Sequence, residues 1–260
     1  MTEIVRRRRP NYSRGTDAPT ALKRIVHISS LATENITPAT IIKAAWSIVL
    51  AKWSAKSDIV FGNVISGRNA AVLGVESIIG PFVNLIPVRV NIQPSWTVLD
   101  LLHNVQDQQV AAMPYESLGF REIIKHCTTW PDWTNFSTVC QHQNIQRQTQ
   151  MQIGGNDYTL GAVGSQEDFA DLTVLSTPQH DDLIEISLIF TSNSGLTRSY
   201  VEEIFEALVD TSIRLSTDPQ APLPALRDLC SIESKVLDEE VVQLGQELSS
   251  NLQELTLQNY

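Results

Sequence analysis

Residues 58–90 read DIVFGNVISGRNAAVLGVESIIGPFVNLIPVRV, and the fold turns on how this stretch is divided. Ile59-Val60-Phe61-Gly62 is a short apolar run that leads into the corner Ser66-Gly67-Arg68. Ile79-Gly80-Pro81-Phe82-Val83-Asn84 is a second such run, leading into Pro87-Val88-Arg89. Apolar runs this short, bounded by glycine and proline, predict buried strands in place of helices.

Helical patterns flank the pair. Thr37-Pro38 predicts a helix start, with a hydroxyl at the cap and proline where its missing N–H costs nothing. The helix that follows, through Ile41, Ile42, Ala45, Trp46, Ile48, Val49 and Trp53, is apolar almost all round and should be buried on several sides. Further helices are expected from Thr97 to Met113, from Ser117 to Cys127 and from Tyr200 to Leu215, with a short strand at Arg24–Ile28. Phe136–His142 alternates as a strand, and Gln143–Gly155 is polar and reads as an arm or loop. Leu172–Leu175 and Leu183–Thr191 predict a hairpin turning at Gln179–Asp182. The resulting order predicts an α/β layer with helices over a mixed sheet.

The 260 residues, 42% of them apolar and only 18% charged, suit a domain with a large core. A net charge of −10 argues against tracking nucleic-acid phosphates, and the basic run Arg6–Arg9 reads as a solvated end. No run reaches the roughly 18 apolar residues of a membrane span. Three cysteines, Cys127, Cys140 and Cys230, give no even disulfide framework, and the cytoplasm is the expected compartment. Residues 1–22 should be a poorly ordered basic extension, 23–218 the folded body, and 219–260 a proline linker followed by an acidic helix. In that last segment Leu237, Val241, Leu244, Leu248, Leu252 and Leu255 fall on one helical face.

The two arginine motifs together resemble the second lobe of the condensation domains of fungal nonribosomal peptide synthetases. The resemblance runs over residues 24–217, with Gln106–Phe120 (QDQQVAAMPYESLGF) and Asn135–Asn144 (NFSTVCQHQN) as weaker supports. It implies one lobe of a chloramphenicol-acetyltransferase-like fold. It also implies amide or ester formation between acyl groups tethered to the phosphopantetheine arms of carrier proteins, with no dissociable cofactor at the site. Carrier proteins or other synthetase domains are the implied partners, with self-association a further expectation for an isolated lobe, and neither nucleic acid nor membrane among them.

The family's catalytic motif, HHxxxDG, belongs to the first lobe and does not occur in these 260 residues. The chain is therefore expected to be inactive alone. The alternatives are a non-catalytic module that docks a synthetase or carrier, and one half of a transferase assembled in trans.

In the family the motif's aspartate bridges to an arginine of the second lobe, which makes Arg68 and Arg89 the two candidates here. Each has a plainer reading, in which it satisfies local carbonyls or pairs with Asp58 or Glu76. Asn84, Asn144, Ser66 and His142 are candidates for lining the tunnel between lobes. For the asparagines the plainer role is a turn or strand edge, and for Ser66 a hydroxyl bonded to its own turn. Cys140 and His142 share a strand face and invite a zinc reading with His126-Cys127. Adjacent His126 and Cys127 point different ways, and zinc wants four ligands, so no metal is expected. His27, His103 and His180 read as packing or surface residues.

Overall fold

The computed structural model describes residues 5–6, 20–28, 31, 34–68, 74–80, 82–143, 150–159, 170–179, 182–190 and 195–223. In chain order the elements are β1 (Val5–Arg6), β2 (Thr20–His27), α1 (Pro38–Ser54), β3 (Asp58–Ile65), β4 (Asn84–Asn91), α2 (Val98–Ala112), α3 (Phe120–Cys127) and β5 (Asn135–Phe136). They continue with β6 (Thr138–His142), β7 (Gln150–Ile153), β8 (Asn156–Thr159), β9 (Leu172–Pro178), β10 (Leu183–Phe190) and α4 (Arg198–Thr217). Six strands form the main sheet in the order β2-β10-β9-β6-β3-β4. β6 runs parallel to both β3 and β9, and the other pairings are antiparallel. The expected α/β architecture with a mixed sheet is the one observed.

The capping chemistry starts the helices where the sequence predicts. Thr37 accepts from the N–H of Thr40 and Pro38 opens α1, while Thr97 and Asp100 form a reciprocal capping box on α2. α1 is buried from Thr40 to Ala51. Its Trp46 is fully buried and donates from Nε1 to Thr138 Oγ1 of β6 at 2.6 Å, pinning the helix to the middle of the sheet. α4 packs beside α1, and a bidentate pair from Arg24 of β2 to Glu206 fastens it to the sheet's edge.

The opposite face holds a separate apolar cluster of Val60, Phe136 and Val139, with Val64, Leu85, Phe120, Trp130 and Ala170 packed on it. The Phe120 and Phe136 rings lie 4.6 Å apart, and Trp130 meets Phe136 edge-on.

β4 is an edge strand, and the fold closes its outer side. The Gln108 amide of α2 accepts from Arg89 N–H and donates to Arg89 O, mimicking a neighbouring strand. Arg89's N–H therefore points outward. Pro87, two residues earlier, has the same orientation and loses no bond to β3.

Several boundaries differ from the expectations. β2 begins at Thr20, inside the stretch expected to be poorly ordered, and β1 pairs with β5. Residues 79–80 and 82–83 are not strand; β4 starts only at Asn84, because carbonyls of the preceding loop, those of Val75, Ile78 and Gly80, accept from Arg68. Part of the polar arm folds as the β7–β8 hairpin, turning on Gly154 and Gly155 with φ of 59° and 83°. The acidic helix expected in 231–260 lies outside the described residues. Among the described residues no helix is long and apolar enough to cross a membrane.

Replacing Thr138 by valine keeps the shape and strands the buried Trp46 N–H. Thr138→Val is expected to cost about 1–3 kcal/mol in urea unfolding with an unchanged slope. A loss below about 0.5 kcal/mol would mean that this bond does not hold α1.

Candidate functional site

Because β3, β6 and β9 are parallel, their carboxyl ends lie side by side, and the polar residues of the fold converge there. Asn63 sits opposite Cys140, and His142 opposite Ser176. Strand alternation puts all four on the face covered by α1, which also presents Thr138 to Trp46. Above them Lys43 of α1, 5% exposed, donates to Gln109 Oε1 at 2.9 Å. Asn63 Nδ2 donates to the same oxygen at 3.1 Å, and Gln109 Nε2 donates to Glu116 Oε1 at 3.2 Å. Glu116 is 1% exposed, so Gln109 links a buried cation to a buried anion.

The network reaches the rim through Asn84. Its Nδ2 donates to the carbonyls of Glu116 and Leu118 at 2.8 and 2.6 Å, and its Oδ1 accepts from Leu85 N–H. The first residue of β4 is thereby locked to the segment that follows α2.

Beside it stands the Ser66-Gly67-Arg68 corner. Gly67 has φ +64°, and a Cβ there would lie 2.2 Å from the Phe82 carbonyl oxygen, so both backbone conformation and space demand glycine. Arg68 donates from Nη1 to the carbonyls of Val75 and Ile78 and from Nη2 to that of Gly80, with its guanidinium 4.8 Å over the Phe82 ring. Ser66 is exposed, and its Oγ accepts a long 3.4 Å bond from Arg68 N–H.

The two candidate arginines are at opposite ends of the β3–β4 pair. Asn84 faces Ile65 at the corner end, whereas Arg89 faces Val60 toward the other. Arg89 makes a bidentate pair with Asp58 at 2.8 and 2.9 Å, which raises the guanidinium's pKa and lowers the carboxyl's. Arg68, Ser66, Asn84 and His142 thus lie at the same end of the sheet, and Arg89 lies toward the other. Asn144 lies outside the described residues.

Burial sets the electrostatics of this cluster. It lowers the pKa of the Lys43 ammonium, against the partial support of Cys140 and Glu116. It pushes the Cys140 thiol up to about 12, so Cys140 is not a thiolate nucleophile near neutral pH. His142 falls to about 4, first by burial and then by the charge of Lys43, and its ring is neutral at physiological pH. His142 Nδ1 lies 2.8 Å from Ser176 Oγ.

Sequence reasoning missed Lys43, Gln109 and Glu116. The available signal was Lys43 itself, a charge in the middle of a helix read as apolar almost all round.

The zinc pairing separates in space. Cys140 and His142 are on the α1 face, while His126 and Cys127 line a groove of about 610 Å³ with Val60, Pro87, Arg89 and Trp130. These last residues belong to the opposite face.

Comparison with known proteins bears directly on this arrangement. The condensation-domain family model matches residues 25–237. The chain is 48% identical over 211 residues to nonribosomal peptide synthetase 4 of Gibberella zeae, covering 80% of this chain and 3% of that protein. It is 40% identical over 241 residues to nonribosomal peptide synthetase nlsA of Emericella nidulans, covering 92% of this chain and 4% of that protein. Among solved structures, one described as CT superposes with a TM-score of 0.68 at 28% identity, over 81% of this chain and 47% of that one. The starter condensation domain of rhizomide synthetase RzmA superposes at 0.57 with 13% identity, over 84% of this chain and 48% of that one, a likeness of fold alone. The chain therefore spans about half of these solved structures and a few per cent of the synthetases.

The neutral His142 ring predicts a pH dependence. With a folded value near 4 against an ordinary 6.5, the folded chain binds fewer protons than the unfolded one between those values. This contribution is constant above pH 6.5 and is lost as pH falls toward 4, by at most on the order of 1 kcal/mol per unit. His142→Gln should flatten that limb of a stability–pH curve. An unchanged slope in the variant would show that another group titrates there.

Proposed function

The chain belongs to the condensation-domain family, and on that premise we propose that it is one half of an amide-forming site of the nonribosomal peptide synthetase type. The substrates are acyl groups tethered to phosphopantetheine arms of carrier proteins. The amine nitrogen of one attacks the thioester carbonyl of the other. The new C–N bond forms as the C–S bond breaks, and the proton lost by the amine ends on the departing thiolate, so nothing is oxidised or reduced. The HHxxxDG histidine is supplied by a complementary half, and this half contributes the braced corner and the polar floor.

One observation carries this reading: apolar exposure is concentrated where the corner and polar residues converge. Ile79 is fully exposed, and Ile78, Val83, Met113, Tyr115 and Leu118 are 39–64% exposed. Arg68 and Asn84 hold the two segments that bear them at the carboxyl end of β3. A surface of this kind favours burial against another polypeptide. Arg68, whose guanidinium is given to the carbonyls of Val75, Ile78 and Gly80, acts by bracing the corner that faces the complementary half; Arg89, engaged with Asp58, is assigned to the sheet edge. The floor residues Lys43, Gln109 and Glu116 act by holding Asn84 and the rim, without touching substrate.

Two loaded carrier proteins mixed with this chain alone should give no condensation product. Adding a separately expressed HHxxxDG-bearing half should produce a complex and measurable turnover, since positioning and proton handling are each worth orders of magnitude in rate. Turnover by this chain alone would overturn the proposal. A stable complex that never turns over would favour the docking module instead.

A further inference from the structure

His142 has hydrogen-bonding capacity that no described residue uses, and the use assigned to it rests on the amide-forming reading. The ring closes β6 at the carboxyl end of the parallel strands, where open α/β sheets place their ligands. Ser176, fully buried on β9, stands 2.8 Å from Nδ1. Its Oγ also lies 3.5 Å from the Gln141 carbonyl oxygen. A hydroxyl has one proton to give. Both contacts are hydrogen bonds at once only if that proton goes to Gln141 O and Nδ1–H donates to Oγ. The neutral ring then carries its lone pair on Nε2, and Nε2 has no partner among the described residues.

The groups around the ring decide what such an acceptor takes. Lys43 of α1 acts on it by its charge and Ser176 stands opposite it on β9, while Cys140 lies two residues back on the same face of β6 with Asn63 of β3 opposite. Among the described residues the one buried carboxylate, Glu116, is tied to Gln109. A cation with no carboxylate beside the ring among the described residues disfavours an incoming ammonium and leaves the uncharged amine as the matching donor.

We propose that His142 Nε2 accepts a hydrogen bond from the neutral amine of the attacking substrate, orienting the nitrogen lone pair toward the thioester carbonyl. One N–H is held and no proton is transferred, because a ring held neutral this far down is too weak a base to take one. His142 is on this assignment a substrate-contacting residue, Ser176 a positioning residue that fixes its tautomer, and Lys43 a second positioning residue that selects the free base.

The test uses the full chain labelled with ¹⁵N-histidine at about pH 8, with two probes: the N-acetylcysteamine thioester of leucine and its desamino counterpart, the 4-methylpentanoyl thioester. In the free chain the ¹⁵N shifts of His142 should report an unprotonated Nε2. The leucyl probe should move that signal saturably and the desamino probe should leave it in place. Ser176→Ala, judged folded by its remaining spectrum, should mix the tautomers and weaken the response several-fold. A protonated Nε2, or equal responses to both probes, overturns the assignment. Movement of the Asn84 side-chain amide with His142 silent sinks the role of His142 and leaves the amide-forming reading standing. No site signal responding to either probe sinks both.

Discussion

Parallel strands cannot be joined by a tight turn, and β6 is parallel to both of its neighbours. Two long crossovers follow from that single constraint. The first, between β3 and β6, carries β4, α2, α3 and β5; the second, between β6 and β9, carries the β7–β8 hairpin. Three carboxyl ends are left side by side, and whatever polar groups the strands carry at their last residues must meet there. Antiparallel pairing would have placed Asn63 and His142 at opposite edges of the sheet. α1 lies over these strands with α4 and α2 packed against it as well, which is why it is buried from Thr40 to Ala51.

Lys43 and Glu116 are the costly part of this arrangement. Taking an ion out of water costs several kcal/mol even after relaxation, and only a nearly complete set of hydrogen bonds offsets it. Here a neutral amide does the linking: Gln109 accepts from Lys43 and Asn63 and donates to Glu116. Hydrogen bonds to charged groups contribute about 1.5–3 kcal/mol each, so the set offsets the burial only while it is whole. That condition makes it a geometric lock. α1, β3, α2 and the Glu116–Leu118 segment are held in one relation, and Asn84 transmits the relation to the start of β4. An apolar replacement of similar volume would fill the space without fixing where Asn84 sits.

Much of this was legible in the sequence, for identifiable reasons. The caps at Thr37 and Thr97 have side-chain signatures that act within a turn, so α1 and α2 begin where composition says. The β9–β10 hairpin was readable from alternation and a polar turn. The start of β4 was not, because residues 79–83 have the composition of a strand. The carbonyls of Ile78 and Gly80 are claimed by Arg68, ten and twelve residues upstream, and no local pattern reports that. The SGR corner showed itself through its glycine, but the separation of the two arginines needed the register, in which Arg89 falls opposite Val60 and within reach of Asp58. Gln109 and Glu116 were invisible for a related reason. Each is polar in a stretch whose exposed positions are polar too, and only tertiary packing leaves Gln109 half-buried and Glu116 buried.

The sheet's two faces divide the work, and Gly62 shows how. Its φ is not in the left-handed region; what matters is that a Cβ there would meet the Phe136 ring at 2.7 Å and Leu85 at 2.9 Å. The missing side chain lets Phe136, stacked with Phe120 and edged by Trp130, settle directly on β3. Phe136 sits just two residues before the start of β6 at Thr138, so its seat fixes where β6 begins, and the parallel register with β3 then follows residue by residue to Cys140 and Gln141. Thr138, held by Trp46 from the other face, is the second fixed point. Between an apolar clamp on one side and a single buried hydrogen bond on the other, β6 has no freedom to slip, since a one-residue shift would exchange its two faces. His142 inherits that precision at the strand's far end, where the parallel register of β6 with β9 sets it opposite Ser176.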